Sequence, residues 1–137
     1  MVKICGLLEP ADAEVASDAG ADMLGVIFAP ARRRRTVPEA KAIFDAATGP
    51  VGRVGIFVDA PLGEVEGVVR ECGLDWIQLA GRESPEYCAA LDGRAMKTLR
   101  LPSDADRFEA YDLPLFHLDA DDEARAGGTG KVWDYSL

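Results

Sequence analysis

An α/β fold built on a parallel sheet is predicted by three observations. Short β-rich runs alternate with helical stretches along the whole chain, and the alternation recurs at the spacing of βαβ units with right-handed crossovers. The third is size: 137 residues, 48% apolar and 28% charged, suffice for one packed domain over residues 1–137 and are too few for two. No low-complexity linker or shift of composition interrupts them.

The first strand is predicted at Val2 to Cys5, and after the turn at Leu8 to Pro10 a helix is expected from Ala11 to Ala19, stopped by Gly20. Met23 to Phe28 reads as the second strand. Thr36 and Glu39 have capping-box spacing around Pro38, and Ala40, Ile43, Phe44 and Ala47 follow at helical period. Val51 to Val58 is the third strand; Leu62, Val65, Val68, Val69 and Cys72 form one face of the third helix, closed by Gly73. Trp76 to Leu79 is the fourth strand, and Ser84 with Pro85 opens a helix that turns Tyr87, Cys88 and Leu91 inward. Ala95 to Leu101 is the fifth strand and is followed by a short helix near Asp104 to Tyr111. Leu115 to Leu118 is the sixth strand, then come a loop from Asp119 to Lys131 and the first turn of a further helix at Trp133 to Leu137.

Six strands and five helices fit either an open doubly wound sheet or an unfinished (β/α)₈ barrel, which normally takes at least about 200 residues. Length favours the first.

Charge and composition exclude several functions. Fifteen basic against twenty-four acidic residues give a net charge of −9, which repels phosphate backbones and anionic lipids, so no nucleic-acid and no membrane partner is expected. Cys5, Cys72 and Cys88 are odd in number and far apart, with His117 the single histidine. Neither a disulfide framework nor a closed zinc site can be assembled, and a reducing, cytoplasmic location is expected. There is no apolar run of membrane-spanning length and no signal-peptide pattern at MVKICG.

In parallel α/β folds chemistry gathers at the carboxyl ends of strands. Those positions hold Cys5, the arginines at 32 to 35, Asp59, Gln78, Arg100 and Asp119. Cys5 precedes Gly6, where a thiol can meet a ligand, whereas Cys72 and Cys88 fall on apolar helix stripes and read as small buried hydrophobes. Asp119 follows the apolar run LPLFHL; a carboxyl partly removed from water there would have a raised pKa and donate a proton near neutrality. A solvated acidic turn made with Asp121, Asp122 and Glu123 is the competing reading. GGTGK at Gly127 to Lys131 lacks the first glycine and the final Ser or Thr of a nucleotide loop, and remains a glycine-rich turn able to approach a small ligand. One arginine of the run can clamp a carboxylate or phosphate bidentately while the others form a solvated face. His117 lies two residues before Asp119, hence on the same strand face.

Taken together, VKICGL at 2 to 7, AGADMLGVIFAP at 19 to 30, VGIFVDAP at 54 to 61, DWIQLAGRESPEYC at 75 to 88, and HLDA with GGTGKVWDYSL at 117 to 137 closely resemble the phosphoribosylanthranilate isomerases. The likeness covers the whole chain. It implies a (β/α)₈ barrel of TIM type, present here in part, and an enzyme of tryptophan biosynthesis that rearranges a phosphorylated sugar–anthranilate substrate from aldose to ketose with no metal and no organic cofactor. By the same likeness the general base falls on Cys5 and the general acid on Asp119. Arg34 would hold the anthranilate carboxylate, and Gln78, Gly127 and Gly128 would contribute to substrate binding. The family's QLHG reads QLAG here, with Ala80 in place of histidine, and its S-x-R-Y stretch reads RRRRT. The family continues through two more strands, whose loops carry the phosphate site in such barrels. Two outcomes are therefore expected: an isomerase sequence competent once its barrel is completed, or a noncatalytic fragment that self-associates through the open edges of strands one and six into a homo-oligomer.

Overall fold

Side chains alternate between the two faces of a strand, and the computed structural model, which describes residues 1–120, gives the two faces different work. The strands are β1 (Lys3–Cys5), β2 (Met23–Ile27), β3 (Gly52–Phe57), β4 (Trp76–Leu79), β5 (Ala95–Leu101) and β6 (Leu115–Ala120). They form one sheet in the order β1-β2-β3-β4-β5-β6, every neighbouring pair parallel. A doubly wound sheet reverses its strand order at a switch point; this one never does. Same-handed crossovers in unbroken order put every helix on one face, the arrangement of a barrel arc, so the architecture is α/β of barrel type and incomplete.

The helices are α1 (Pro10–Asp18), α2 (Val37–Asp45), α3 (Leu62–Cys72) and α4 (Pro85–Ala89). Their starts follow local chemistry. Asp12 accepts from the Leu8 and Glu9 amides at 2.8 and 3.0 Å, Glu39 accepts from the Thr36 amide at 2.7 Å, and Ser84 Oγ accepts from the Tyr87 amide at 3.2 Å. Gly73, at φ 62°, ends α3 in the left-handed conformation that glycine adopts without strain.

The outer face carries the main core. Leu24, Val26, Phe57, Ile77, Leu79 and Leu99 bury themselves against Ala40, Ile43, Phe44, Val65, Val69 and Cys88 of the helical layer. A separate inner cluster joins Met23, Val54, Ile56 and Met96 with Ile27, Trp76, Ala80 and Leu115. Gly55 sits where bulk is excluded: a Cβ there would lie 2.5 Å from Leu74 Cδ1 and 2.8 Å from Phe57 Cε2.

Three expectations need correction. The fifth helix is a 3-10 segment, Ala105–Ala110, because Asp104 spends its carboxylate on the Arg100 amide at 2.9 Å and on Arg107 at 3.0 Å, tying the segment into a tight turn. The sixth strand does not stop at Leu118: β5 runs to Leu101 and offers pairing groups as far as Arg100↔Asp119 and Leu101↔Ala120, so Asp119 belongs to the strand and not to the loop. The first helix begins at Pro10, whose missing amide costs nothing at a helix start, and ends at Asp18. The turn expected at Trp133 to Leu137 lies outside the described residues, and among the described residues no helix is long and apolar enough to cross a membrane.

Candidate active site

Register and alternation select the side chains that share the inner face. Cys5 pairs with Gly25, Ile56 with Gln78, Thr98 with His117 and Arg100 with Asp119, so β1 contributes Lys3 and Cys5, β4 Gln78, β5 Thr98 and Arg100, and β6 His117 and Asp119. The side-chain contacts agree. The Lys3 ammonium donates to Gln78 Oε1; Gln78 Nε2 donates to Thr98 Oγ1 at 3.3 Å; and Thr98 Oγ1 lies 3.4 Å from His117 Nδ1. This row runs across the inner face from β1 to β6, and Cys5 and Asp119 stand one inward position nearer the carboxyl ends, on the first and the last strand of the described sheet.

Cys5 is exposed, on an edge strand among the described residues. Gly25 keeps the space beside it clear, since a Cβ there would lie 3.0 Å from Cys5 Sγ and 3.2 Å from Ile56 Cδ1. Cys72 and Cys88 are buried, and burial raises both thiols, Cys88 to about 11. They are structural, as expected. Asp119 is half-buried, with Oδ1 accepting from the Ala120 amide at 2.9 Å.

Burial lowers the pKa of Lys3, and the charge of Cys5 opposes that. His117 is lowered too, by burial first and by Lys3 second, against Asp119. As pH falls through the ordinary histidine range the unfolded chain therefore takes up this proton before the folded one, and the stability held above that range declines.

The arginine run divides by partner. Arg33 Nη1 reaches the Cys5 carbonyl at 3.4 Å, and its guanidinium lies over Gly6, whose φ of 77° turns the chain away from β1. Arg35 donates to the Leu8 carbonyl at 3.1 Å and the Arg34 carbonyl at 2.8 Å. Arg34 is exposed and lines a hollow of about 250 Å³ with Phe28, Phe57 and Glu64, on the helical side of the loop after β2. Arg33 is thus the arginine beside Cys5. Gln78, only 6% exposed, commits both ends of its amide to Lys3 and Thr98. Gly127 and Gly128 lie outside the described residues. Ala80 belongs to the inner cluster, so a methyl group occupies that inward place.

The mouth loops are fixed from below by groups that composition and motif did not single out. Lys97 and Glu83, each side chain 1% exposed, pair at 2.9 Å. Lys97 also donates to the Gly81 carbonyl at 2.6 Å, while Glu83 accepts from the Asp59 amide at 2.9 Å and the Gly81 amide at 3.0 Å. One buried pair therefore ties the loop after β3 to the loop after β4. Lys3 also escaped notice, although period-two alternation from Cys5 places it on the same face.

Known proteins match this chain in sequence and in fold. The profile of the N-(5'phosphoribosyl)anthranilate (PRA) isomerase family matches residues 2–137. A relative from Desulforudis audaxviator, N-(5'-phosphoribosyl)anthranilate isomerase, is 40% identical over 100% of this chain and 69% of its own. The crystal structure of phosphoribosyl anthranilate isomerase from Thermus thermophilus superposes with a TM-score of 0.81 at 35% identity, covering 97% of this chain and 66% of that one. A second isomerase structure, in complex with reduced 1-(o-carboxyphenylamino)-1-deoxyribulose 5-phosphate, gives 0.80 at 30% identity over 89% of this chain and 66% of that one. The chain therefore spans about two thirds of the length of the proteins it matches.

Proposed function

Because this chain belongs to the N-(5'-phosphoribosyl)anthranilate isomerase family, we propose that the polypeptide its gene encodes catalyses the Amadori rearrangement of N-(5'-phosphoribosyl)anthranilate in tryptophan biosynthesis, with Asp119 as general acid and Cys5 as general base. Asp119 protonates the ring oxygen as the bond from that oxygen to C1 breaks and the nitrogen lone pair forms the C1 iminium. Cys5 then removes the proton from C2, giving an enolamine, and delivery of a proton to C1 with loss of the C2 hydroxyl proton to solvent yields the 1-deoxyribulose ketone. Atoms balance without a redox partner, and each proton transfer of this kind contributes about 10²–10⁴-fold. Arg34, exposed in the loop after β2, swings from the hollow by Phe28 and Glu64 toward the strand ends to take the anthranilate carboxylate, and Gly127 and Gly128 contribute to substrate binding. The supporting observation is that the two groups sit on one face of one parallel sheet, at the carboxyl ends of its first and last described strands, with a row of hydrogen-bonded polar side chains between those strands.

Incubation with substrate carrying ¹³C at C1 and C2 of the ribose tests the reading. The expected result is loss of the anomeric C1 signal and growth of a methylene at C1 and a ketone carbonyl at C2. Unchanged spectra at micromolar protein would remove it.

A second reading, self-association of the chain, is favoured by one observation. Val2, Ile4, Leu8 and Val15 line an apolar hollow of about 700 Å³ along β1 and α1, and Leu118 stands exposed on β6 at the other edge of the described sheet. Light scattering at increasing concentration distinguishes it: growth in mass supports it, and a monomer throughout rejects it.

A further inference from the structure

The row of polar side chains beneath Cys5 and Asp119 has a direction. Lys3 has only donors, so it must donate to Gln78 Oε1. That orients the amide with Nε2, a donor only, toward Thr98 Oγ1 at 3.3 Å. With its oxygen accepting there, the Thr98 hydroxyl still has its single proton to give, and His117 Nδ1 at 3.4 Å is the acceptor that the described residues place within its reach. An imidazole that accepts at Nδ1 and is neutral carries its proton on Nε2.

We propose that Lys3, Gln78 and Thr98 form a one-way donor relay across the inner face which holds His117 as the neutral Nε2–H tautomer, and that this makes His117 a positioning residue for the carboxyl of Asp119. The consequence concerns charge. Asp119 is the next inward residue on the same strand. An imidazolium beside it would keep the carboxylate ionised and unable to donate; a neutral ring permits a protonated carboxyl. The charged and titratable groups facing His117 are Lys3 from β1, with Cys5 beyond it, Asp119 on its own strand, and Arg100 on β5 opposite Asp119. Burial and Lys3 both act against protonation of the ring, in the sense the relay requires. Gln78 thereby has a structural task, the orientation of Thr98, in addition to any contact with substrate.

The functional half of this proposal rests on the reading of Asp119 as proton donor, whereas the tautomer is read from the imidazole itself, so the two can fail separately. His117 is the single histidine of the chain, so a long-range ¹H–¹⁵N spectrum of uniformly labelled protein contains one imidazole and needs no assignment. The expected spectrum near neutral pH has Nε2 protonated and Nδ1 bare, with a titration midpoint below the ordinary histidine value. Lys3→Met should move the midpoint up. Thr98→Val, which keeps the Lys3 charge and the side-chain shape, should mix the tautomers while leaving the midpoint below the ordinary value. A proton on Nδ1 in the unmodified chain, or a midpoint indifferent to Lys3→Met in protein whose amide spectrum remains dispersed, would overturn the relay. If Lys3→Met does not fold, Thr98→Val decides alone: an unaltered tautomer overturns the relay, and a mixed one supports it.

Discussion

Asp119→Asn and Cys5→Ser are each expected to lower turnover of N-(5'-phosphoribosyl)anthranilate by about 10²–10⁴-fold, with the thermal midpoint nearly unchanged. Both replacements keep shape. The asparagine side chain retains an oxygen for the 2.9 Å bond from the Ala120 amide, and serine is smaller than the cysteine it replaces at an exposed position. What each removes is a proton transfer. A carboxamide has no proton to give to the ring oxygen, and a serine hydroxyl, unlike a thiol, does not ionise near neutral pH to serve as the base. The two groups act in one reaction, so the double variant should lose far less than the product of the single losses. Turnover within a few-fold of the unmodified protein in either variant would strip that residue of its role.

The largest expected effect on stability comes from a pair that touches no substrate. Lys97→Met should destabilise the fold by about 3–5 kcal/mol in urea denaturation, since it strands the Glu83 carboxylate in a place that water does not reach. Two carbonyls, of Leu79 at 3.3 Å and Gly81 at 2.6 Å, lose their donor at the same time. Glu83→Leu leaves the converse charge unpaired and frees the Asp59 and Gly81 amides that its carboxylate held. Because either single change leaves one ion without its partner, the double variant Lys97→Met with Glu83→Leu should cost clearly less than the sum of the two. A single-variant loss below about 1 kcal/mol would show that the pair is solvated and the loop clamp incidental.

Legibility in the sequence followed the strength of local chemistry. Trp76–Leu79 has matching bounds in both readings because Gly73 closes the helix before it and Ser84 with Pro85 opens the one after it. The end of β6 depended on a partner distant in sequence: nothing near Asp119 announces that β5 extends to Leu101 to meet it. Length pointed to an open sheet and the family motifs to a barrel, and the order of six parallel strands decided for the barrel arc, a property of pairing that composition does not carry. At the site, Cys5 and Asp119 were legible as strand-end residues, and Gly73 as a helix stop. Which of four adjacent arginines neighbours Cys5 was not, since direction depends on the course of the loop, and the loop brings Arg33 to the Cys5 carbonyl while Arg34 lines the hollow by Phe28 and Glu64. The Lys97–Glu83 pair was equally hidden, because a charged residue within a strand gives no sign that a carboxylate fourteen positions earlier awaits it.

The three cysteines permit the most direct test of whether Cys5 takes part in the reaction. With Cys72 and Cys88 buried, iodoacetamide on the native protein should alkylate Cys5 alone, read by mass spectrometry. Isomerase activity should disappear in step with that single modification, and reduced 1-(o-carboxyphenylamino)-1-deoxyribulose 5-phosphate should slow both together. Full alkylation of Cys5 with turnover intact would contradict it.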